Sequence, residues 1–179
     1  MHVQVYQRGG IKRHLMLKWA ACFYANRLMG KETADTLSVN IKMCVCGLEP
    51  DDMGDCTPSN IFEVDKRTFT IRIRKTMSFA TQLRTLAHEF VHVRQFATGQ
   101  LAGFPILKWN NKIYDVPYDQ KPWEKEAFKL EKKLSKALSR RLYTDTYYQC
   151  SKCHEYGHNA RTCLVFRAQQ PFMAKEFAT

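Results

Sequence analysis

The 179-residue chain lacks any run of uncharged apolar residues that approaches the ~20 needed for a membrane-spanning helix. This absence excludes a membrane-spanning protein, and we expect no membrane partner. The chain also lacks internal repeats and low-complexity tracts, which excludes a repeat protein. Negative charge is scarce: 17 Asp and Glu residues stand against 28 Lys and Arg residues, giving a net charge of +11. This excess of positive charge favours a polyanionic partner, and we expect nucleic acid.

The seven cysteines are an odd number for a disulfide framework. The apolar run 15–25 is interrupted by Lys18, and we interpret it as an amphipathic helix and not as a signal peptide. We therefore expect reduced thiols in an intracellular compartment. Three cysteines fall into a metal-ligand spacing near the C-terminus. The others have no assigned role, and a further metal site is an alternative to unpaired thiols at Cys22, Cys44, Cys46 and Cys56.

Hydrophobic residues make up 45% of the chain, which excludes wholesale disorder and indicates one compact domain with a small appendage. Helical spacing and period-two alternation predict helices over residues 11–29, 78–95 and from 122 onwards, and strands over 36–46, 61–64 and 69–74. Gly30 can end the first helix, Ser78 caps the second and Pro122 suits the first turn of the third. We expect loops over residues 47–60 and 99–120.

The second helix contains the pattern His-Glu-x-x-His. His88 and His92 lie one turn apart on the same helix face, so both imidazoles can reach one zinc ion. Glu89 then lies beside the metal, where it can accept a proton from water. The alternative is a pair of core histidines that satisfy each other's hydrogen bonds.

A catalytic zinc needs a third protein ligand and an open position for water. No remaining histidine is well placed, so we expect a carboxylate at the start of the third helix. Relative to Ala127 at the centre of its buried stripe, Glu124 lies about 60° away and Glu126 about 100° on the other side. We predict Glu124 as the ligand, with Glu126 as the alternative. Both residues also favour the helix dipole.

Residues 69–74, the helix segment LAHEFVH (86–92) and the segment PWEKEA (122–127) resemble the SprT-like and gluzincin-type zinc metallopeptidases, especially phage-encoded ones. The resemblance covers residues 36–142. It implies an α+β fold in which a small antiparallel sheet packs on helices, with an edge strand beside the active-site helix. It also implies hydrolysis of peptide bonds in a protein or peptide substrate. We expect a cytoplasmic protein, located in the host cytoplasm if it is phage-encoded.

In this interpretation Glu89 transfers a proton from water to the leaving amine, with zinc held by His88, His92 and Glu124. Tyr114 or Tyr118 could stabilise the oxyanion, although tyrosines in such loops often simply pack.

The C-terminal segment has the spacing Cys-x2-Cys-x4-His-x4-Cys, which is typical of a structural zinc site. It resembles the zinc-knuckle family, and its ligands are Cys150, Cys153, His158 and Cys163. Zinc knuckles commonly bind single-stranded nucleic acid. Tyr156 could stack on a base, and Lys152 and Arg161 could contact phosphates. A purely structural or protein-binding knuckle is the alternative.

Lysines 125, 129, 132, 133 and 136 share one broad face of the third helix. A solvated face is the default interpretation, and a phosphate-contacting surface is the alternative.

We therefore predict a metallopeptidase domain over residues 1–146, a zinc knuckle over 147–166 and a tail over 167–179. The predicted function is zinc-dependent hydrolysis of nucleic-acid-associated proteins, with one catalytic and one structural zinc ion. The alternative is a non-catalytic nucleic-acid-binding or regulatory zinc protein.

Overall fold

A computed structural model describes residues 1–6, 11–45, 48–49, 51–59, 66–103 and 106–147. The predicted strand at 61–64 and the predicted knuckle, with Lys152, Tyr156 and Arg161, lie outside these residues. The chain divides into two units, Met1–Ser135 and Lys136–Thr179. Of the second unit, only the end of the third helix is described.

The described chain has an α+β architecture, as expected. Its helices are α1 (Ile11–Asp35), α2 (Phe79–Ala97) and α3 (Pro122–Tyr147), with a 3-10 turn at Tyr118–Gln120. Its strands are β1 (His2–Tyr6), β2 (Ser38–Cys44), β3 (Gly54–Pro58), β4 (Thr68–Arg74), β5 (Leu101–Ala102), β6 (Lys108–Trp109) and β7 (Lys112–Ile113). None of the described helices is long and apolar enough to cross a membrane.

The main sheet is mixed, so the expectation of an antiparallel sheet is wrong. Its strand order is β1-β2-β4-β3, and only the β3–β4 pair is antiparallel. Helix α1 carries the chain back between β1 and β2, and such a crossover places successive strands parallel. The three short strands β5, β6 and β7 form a separate antiparallel sheet.

Two strands of the main sheet were not predicted. Strand β1 alternates buried Val3 and Val5 with exposed neighbours, but it is only five residues long. Strand β3 lies inside the segment 47–60 that was expected to be a loop. It forms the sheet edge next to α2, and Arg72 of β4 holds it by donating from Nε to Asp55 Oδ1 at 2.9 Å.

Buried side chains from β2 and β4 form the sheet side of the core, and they include Val39, Ile41, Phe69, Ile71 and Ile73. Helices α1 and α2 pack against each other and on this sheet. Tyr24 of α1 joins the two helices, because its hydroxyl donates to the Leu83 carbonyl at 3.1 Å and its ring lies 6.3 Å from that of Phe90.

The helix starts agree with the predictions more closely than the ends do. The Ser78 hydroxyl accepts a hydrogen bond from the Thr81 amide at 3.2 Å, which caps α2 as expected. Gly30, at φ 77°, marks a kink in α1 and not its end, since the helix continues to Asp35. Twelve residues of α2 are buried, so this helix is held on nearly all sides and can fix side chains precisely in place.

Candidate metal centre

Helix α2 places His88 and His92 on one face, as predicted. Each residue is 8% exposed, and their ring centroids are 4.9 Å apart. The Nε2 atoms face each other at 3.2 Å. Two imidazole nitrogens from successive helix turns therefore converge on one point.

The first turn of α3 brings Glu124 to the same point. This residue is 4% exposed, and its Oε2 atom lies 3.3 Å from His88 Nε2 and 3.6 Å from His92 Nε2. Glu126, the alternative, instead contacts Arg94 and accepts from Gln95 Nε2 at 2.9 Å. The structure thus groups Glu124, and not Glu126, with the two histidines.

Hydrogen bonds at the back of each ring determine which nitrogen carries the proton. His88 Nδ1 lies 3.1 Å from Glu131 Oε2, a carboxylate oxygen that can only accept. His92 Nδ1 lies 2.8 Å from Gln95 Oε1. The Gln95 amide group is committed as a donor to the Trp123 carbonyl at 3.0 Å and to Glu126, so its oxygen faces His92. Both neutral imidazoles therefore carry their proton on Nδ1 and present an Nε2 lone pair to Glu124.

The two Nε2 atoms and the Glu124 oxygen consequently face each other as three acceptors, and none of the three carries a hydrogen to donate. Such an arrangement requires a proton or a cation between the three atoms. Adjacent ligands of a tetrahedral zinc ion with bonds of 2.0–2.1 Å lie about 3.3–3.4 Å apart. The observed separations of 3.2, 3.3 and 3.6 Å match this geometry closely. His88, His92 and Glu124 could hold a metal ion.

The electrostatics of the group also favour positive charge. Burial alone would lower the pKa of His88, but hydrogen bonds to Glu124 and Glu131 outweigh it and raise the pKa to about 9. Burial alone would raise the pKa of Glu124, but hydrogen bonds with His88 and His92 lower it to about 2. These opposite shifts show that the group favours a positive charge among its three atoms.

We call His88, His92 and Glu124 the metal group. Glu89 lies beside it and is 4% exposed. Burial raises the pKa of this carboxyl group to about 7, against the opposing charges of His92 and His88. Edge strand β3 approaches it through Gly54. A Cβ atom at Gly54 would lie 3.1 Å from Glu89 Oε1 and 2.7 Å from Thr85 Cγ2, so only glycine fits between the strand and the helix.

Glu89 lines two neighbouring cavities. The larger, about 290 Å³, is lined among others by Met53, His88 and Phe128. The smaller, about 190 Å³, is lined among others by His92 and Glu124. Glu89 and Tyr118 line both.

Tyr118 is the better placed of the two candidate tyrosines. Burial raises the pKa of its hydroxyl group, and a hydrogen bond with Glu124 adds to the shift. Tyr114 lines neither cavity. A hydroxyl group that stays protonated beside the metal group can donate to a substrate oxygen.

The residues that orient the two imidazoles were not predicted from the sequence. Glu131 lies two helix turns after Glu124, and this i, i+7 spacing on one face was a usable signal. Arg84 pairs with Glu131, and Gln95 lies three residues after His92. These partners fix the ring orientations, which is the usual role of residues just outside a metal's ligands.

The cysteines form no comparable group among the residues that the structure describes. Cys22, Cys44 and Cys56 are free thiols, and none belongs to a metal-capable cluster there. Burial raises the pKa of Cys56 well above its usual range, which favours the neutral thiol. Cys46 and the knuckle ligands lie outside the described residues.

Comparisons with protein-family models, with curated proteins and with solved structures find no match to this chain. Any functional conclusion therefore rests on the site itself.

Proposed function

We propose that this protein is a zinc-dependent peptidase whose active site is formed by His88, His92, Glu124 and Glu89. The observation that carries the proposal is the convergence of two Nε2 lone pairs and the Glu124 carboxylate on one point. Nitrogen and carboxylate donors in tetrahedral geometry suit zinc. When bound there, zinc supplies a Lewis acid that polarises a carbonyl group and lowers the pKa of water.

Glu89 acts as the general base and then as the general acid. The buried Glu89 carboxylate lies beside the metal ligands, where it can accept a proton from the attacking water and return it to the leaving amine. Glu89 lines both cavities, so a scissile bond can lie beside it while the substrate occupies them. Tyr118 donates to the oxygen of the scissile carbonyl as negative charge develops on it.

Two features favour catalysis over a structural metal site. A structural zinc site is closed by four protein ligands, whereas the group found among the described residues supplies three. The group also adjoins cavities that a substrate can enter.

The proposed substrates are proteins associated with nucleic acid, and the proposed location is the cytoplasm. The net charge of +11 supports a polyanionic partner. In this proposal the knuckle ligands Cys150, Cys153, His158 and Cys163 hold a second, structural zinc ion. Single-stranded nucleic acid then contacts Lys152, Tyr156 and Arg161.

Glu89→Gln tests the proposal, because the amide keeps the shape of the side chain but cannot take up a proton. We expect the zinc-loaded full chain to cleave an unfolded protein substrate and the variant to be slower by roughly 100- to 10,000-fold. Zinc content and circular dichroism should be unchanged in the variant. Glu32→Gln, at an exposed position on α1, is the matched control and should cleave at the parent rate.

The proposal fails if the zinc-loaded parent cleaves neither unfolded nor nucleic-acid-bound proteins, or if Glu89→Gln cleaves as fast as the parent. Either result would favour a zinc protein that binds nucleic acid without hydrolysis.

A further inference from the structure

Helix α3 separates its charges by face. Within Met1–Ser135 it carries three carboxylates, and all three have partners on its inner side: Glu124 meets His88, Glu126 meets Arg94 and Glu131 meets Arg84. An ordinary solvated helix face interleaves Glu with Lys and gains from the i, i+4 pairs. Glu126 borders the outer face by helix spacing, but its carboxylate contacts Arg94 and Gln95 and pairs with none of the lysines there.

The outer face of this part of α3 consists of four exposed lysines, which we call the lysine face: Lys125, Lys129, Lys132 and Lys133. At about 100° per residue they fall within an arc of roughly 100°, and they span about 12 Å along the axis. None of the four forms an ion pair with the residues that the structure describes. Like charges three and four residues apart weaken a helix, so this arrangement calls for an external anion.

We propose that the lysine face binds the phosphate backbone of duplex DNA. Charge complementarity supports this partner, because a row of lysines at successive helix turns can lie along closely spaced phosphates. An anionic membrane fits less well. A helix that binds a bilayer surface inserts its apolar face, whereas the apolar residues Trp123, Ala127 and Leu134 of α3 are buried inside the protein.

A single strand also fits less well at this surface. Binding of single strands relies on aromatic rings that stack on bases. The nearest aromatic residue on the helix is Phe128, and its ring packs on His88 with the centroids 4.8 Å apart. Phe128 is a single ring and 40% exposed, so the lysine face offers no row of rings on which successive bases could stack, and it should bind without preference for base sequence.

Binding is measured on the zinc-loaded full chain with a fluorescent 30-base-pair duplex of mixed sequence. The test variant is K125Q/K129Q/K132Q/K133Q, and the control is K12Q/K31Q/K42Q/K75Q, which removes four exposed lysines elsewhere. If all four lysines contact phosphates, the slope of log affinity against log salt becomes shallower by about 3 to 4 in the test variant. When salt rises from 50 to 200 mM, the affinity of the parent for the duplex should therefore fall by a factor about 100 times larger than that of the test variant. The control variant should keep a slope close to the parent's.

The same proteins are also tested against a dT30 single strand and phosphatidylserine vesicles. The proposal is overturned if the test and control variants change the duplex slope equally, or if the test variant loses binding to the strand or the vesicles more than to the duplex. This assay does not depend on hydrolysis, so Glu89→Gln should bind the duplex like the parent. If the peptidase proposal fails, the duplex-binding result still tests the lysine face on its own.

Discussion

The Nε2 atoms of His88 and His92 face each other at 3.2 Å. The Nδ1 atom of each ring donates a hydrogen bond to another residue, so neither Nε2 atom of the neutral rings carries a hydrogen. Two lone pairs at this distance repel each other unless a positive charge lies between them. Glu124 adds a carboxylate oxygen 3.3 and 3.6 Å away. The proposed metal ion would supply the positive charge that this geometry requires.

Glu124→Gln and Glu126→Gln should separate the two acids that the sequence left as alternatives. Glu124→Gln removes a proposed zinc ligand. Loss of a residue that only supports a ligand costs about 10- to 100-fold in metal affinity, so loss of the ligand itself should weaken zinc binding by more than roughly 100-fold. Glu126→Gln should keep zinc affinity within about tenfold, since this residue acts through Gln95. Competition with a chromogenic chelator measures both. A larger loss in Glu126→Gln than in Glu124→Gln would reverse the assignment.

Glu131→Ala should weaken zinc binding by about 10- to 100-fold while the fold is retained. Without this carboxylate, His88 loses the acceptor that fixes its proton on Nδ1. The same chelator competition measures the effect, and Glu32→Ala on the exposed side of α1 serves as the control. Unchanged affinity in Glu131→Ala would show that the ring is oriented by its packing alone.

The metal-free protein should become less stable as pH rises from about 4.5 to 7. Burial raises the pKa of folded Glu89 from 4.5 to about 7, so the folded state holds this proton more tightly than the unfolded state. The resulting stability is fully present below pH 4.5 and is lost as pH passes 7, by up to about 3 kcal/mol.

Glu89→Gln removes this titrating group. Urea unfolding of the metal-free proteins should therefore show the variant gaining stability relative to the parent as pH rises from 4.5 to 7.5. A difference that stays constant with pH would contradict the burial of an ionisable carboxyl group at this position.

Gly54→Ala should destabilise the protein by about 1–3 kcal/mol, because the new methyl group overpacks the contact between β3 and α2. It would lie 2.7 Å from Thr85 Cγ2 and 2.9 Å from the Arg72 carbonyl oxygen. The double variant Gly54→Ala/Thr85→Ser removes the first clash and should recover part of the loss. Thermal unfolding measures both, and no recovery would place the strain elsewhere.

Local patterns predicted the helices that carry the site. The Ser78 cap gave the start of α2, and the phase of Ala127 favoured Glu124 while leaving Glu126 as the alternative. Both signals act within a few residues, where helix geometry is fixed.

Long-range pairing was not predictable in this way. The parallel register of Val3 with Val39 depends on contacts more than thirty residues apart, and the alternation of β1 was too short to reveal it. Strand β3 contains Gly54 and Pro58, residue types depleted in strands, and it is stabilised by pairing with β4. Glu131 was not predicted, because it lies two turns beyond the first turn of α3 that carries Glu124 and Glu126.

The most direct test of the central claim is the zinc content of the purified full chain compared with that of His88→Ala, measured by mass spectrometry of the metal. We predict that the variant contains one zinc ion per chain fewer than the parent, with an unchanged circular dichroism spectrum. Glu124→Gln, purified in the presence of a competing chelator, should show the same deficit. Equal zinc content in the parent and in both folded variants would contradict a metal ion held by these residues.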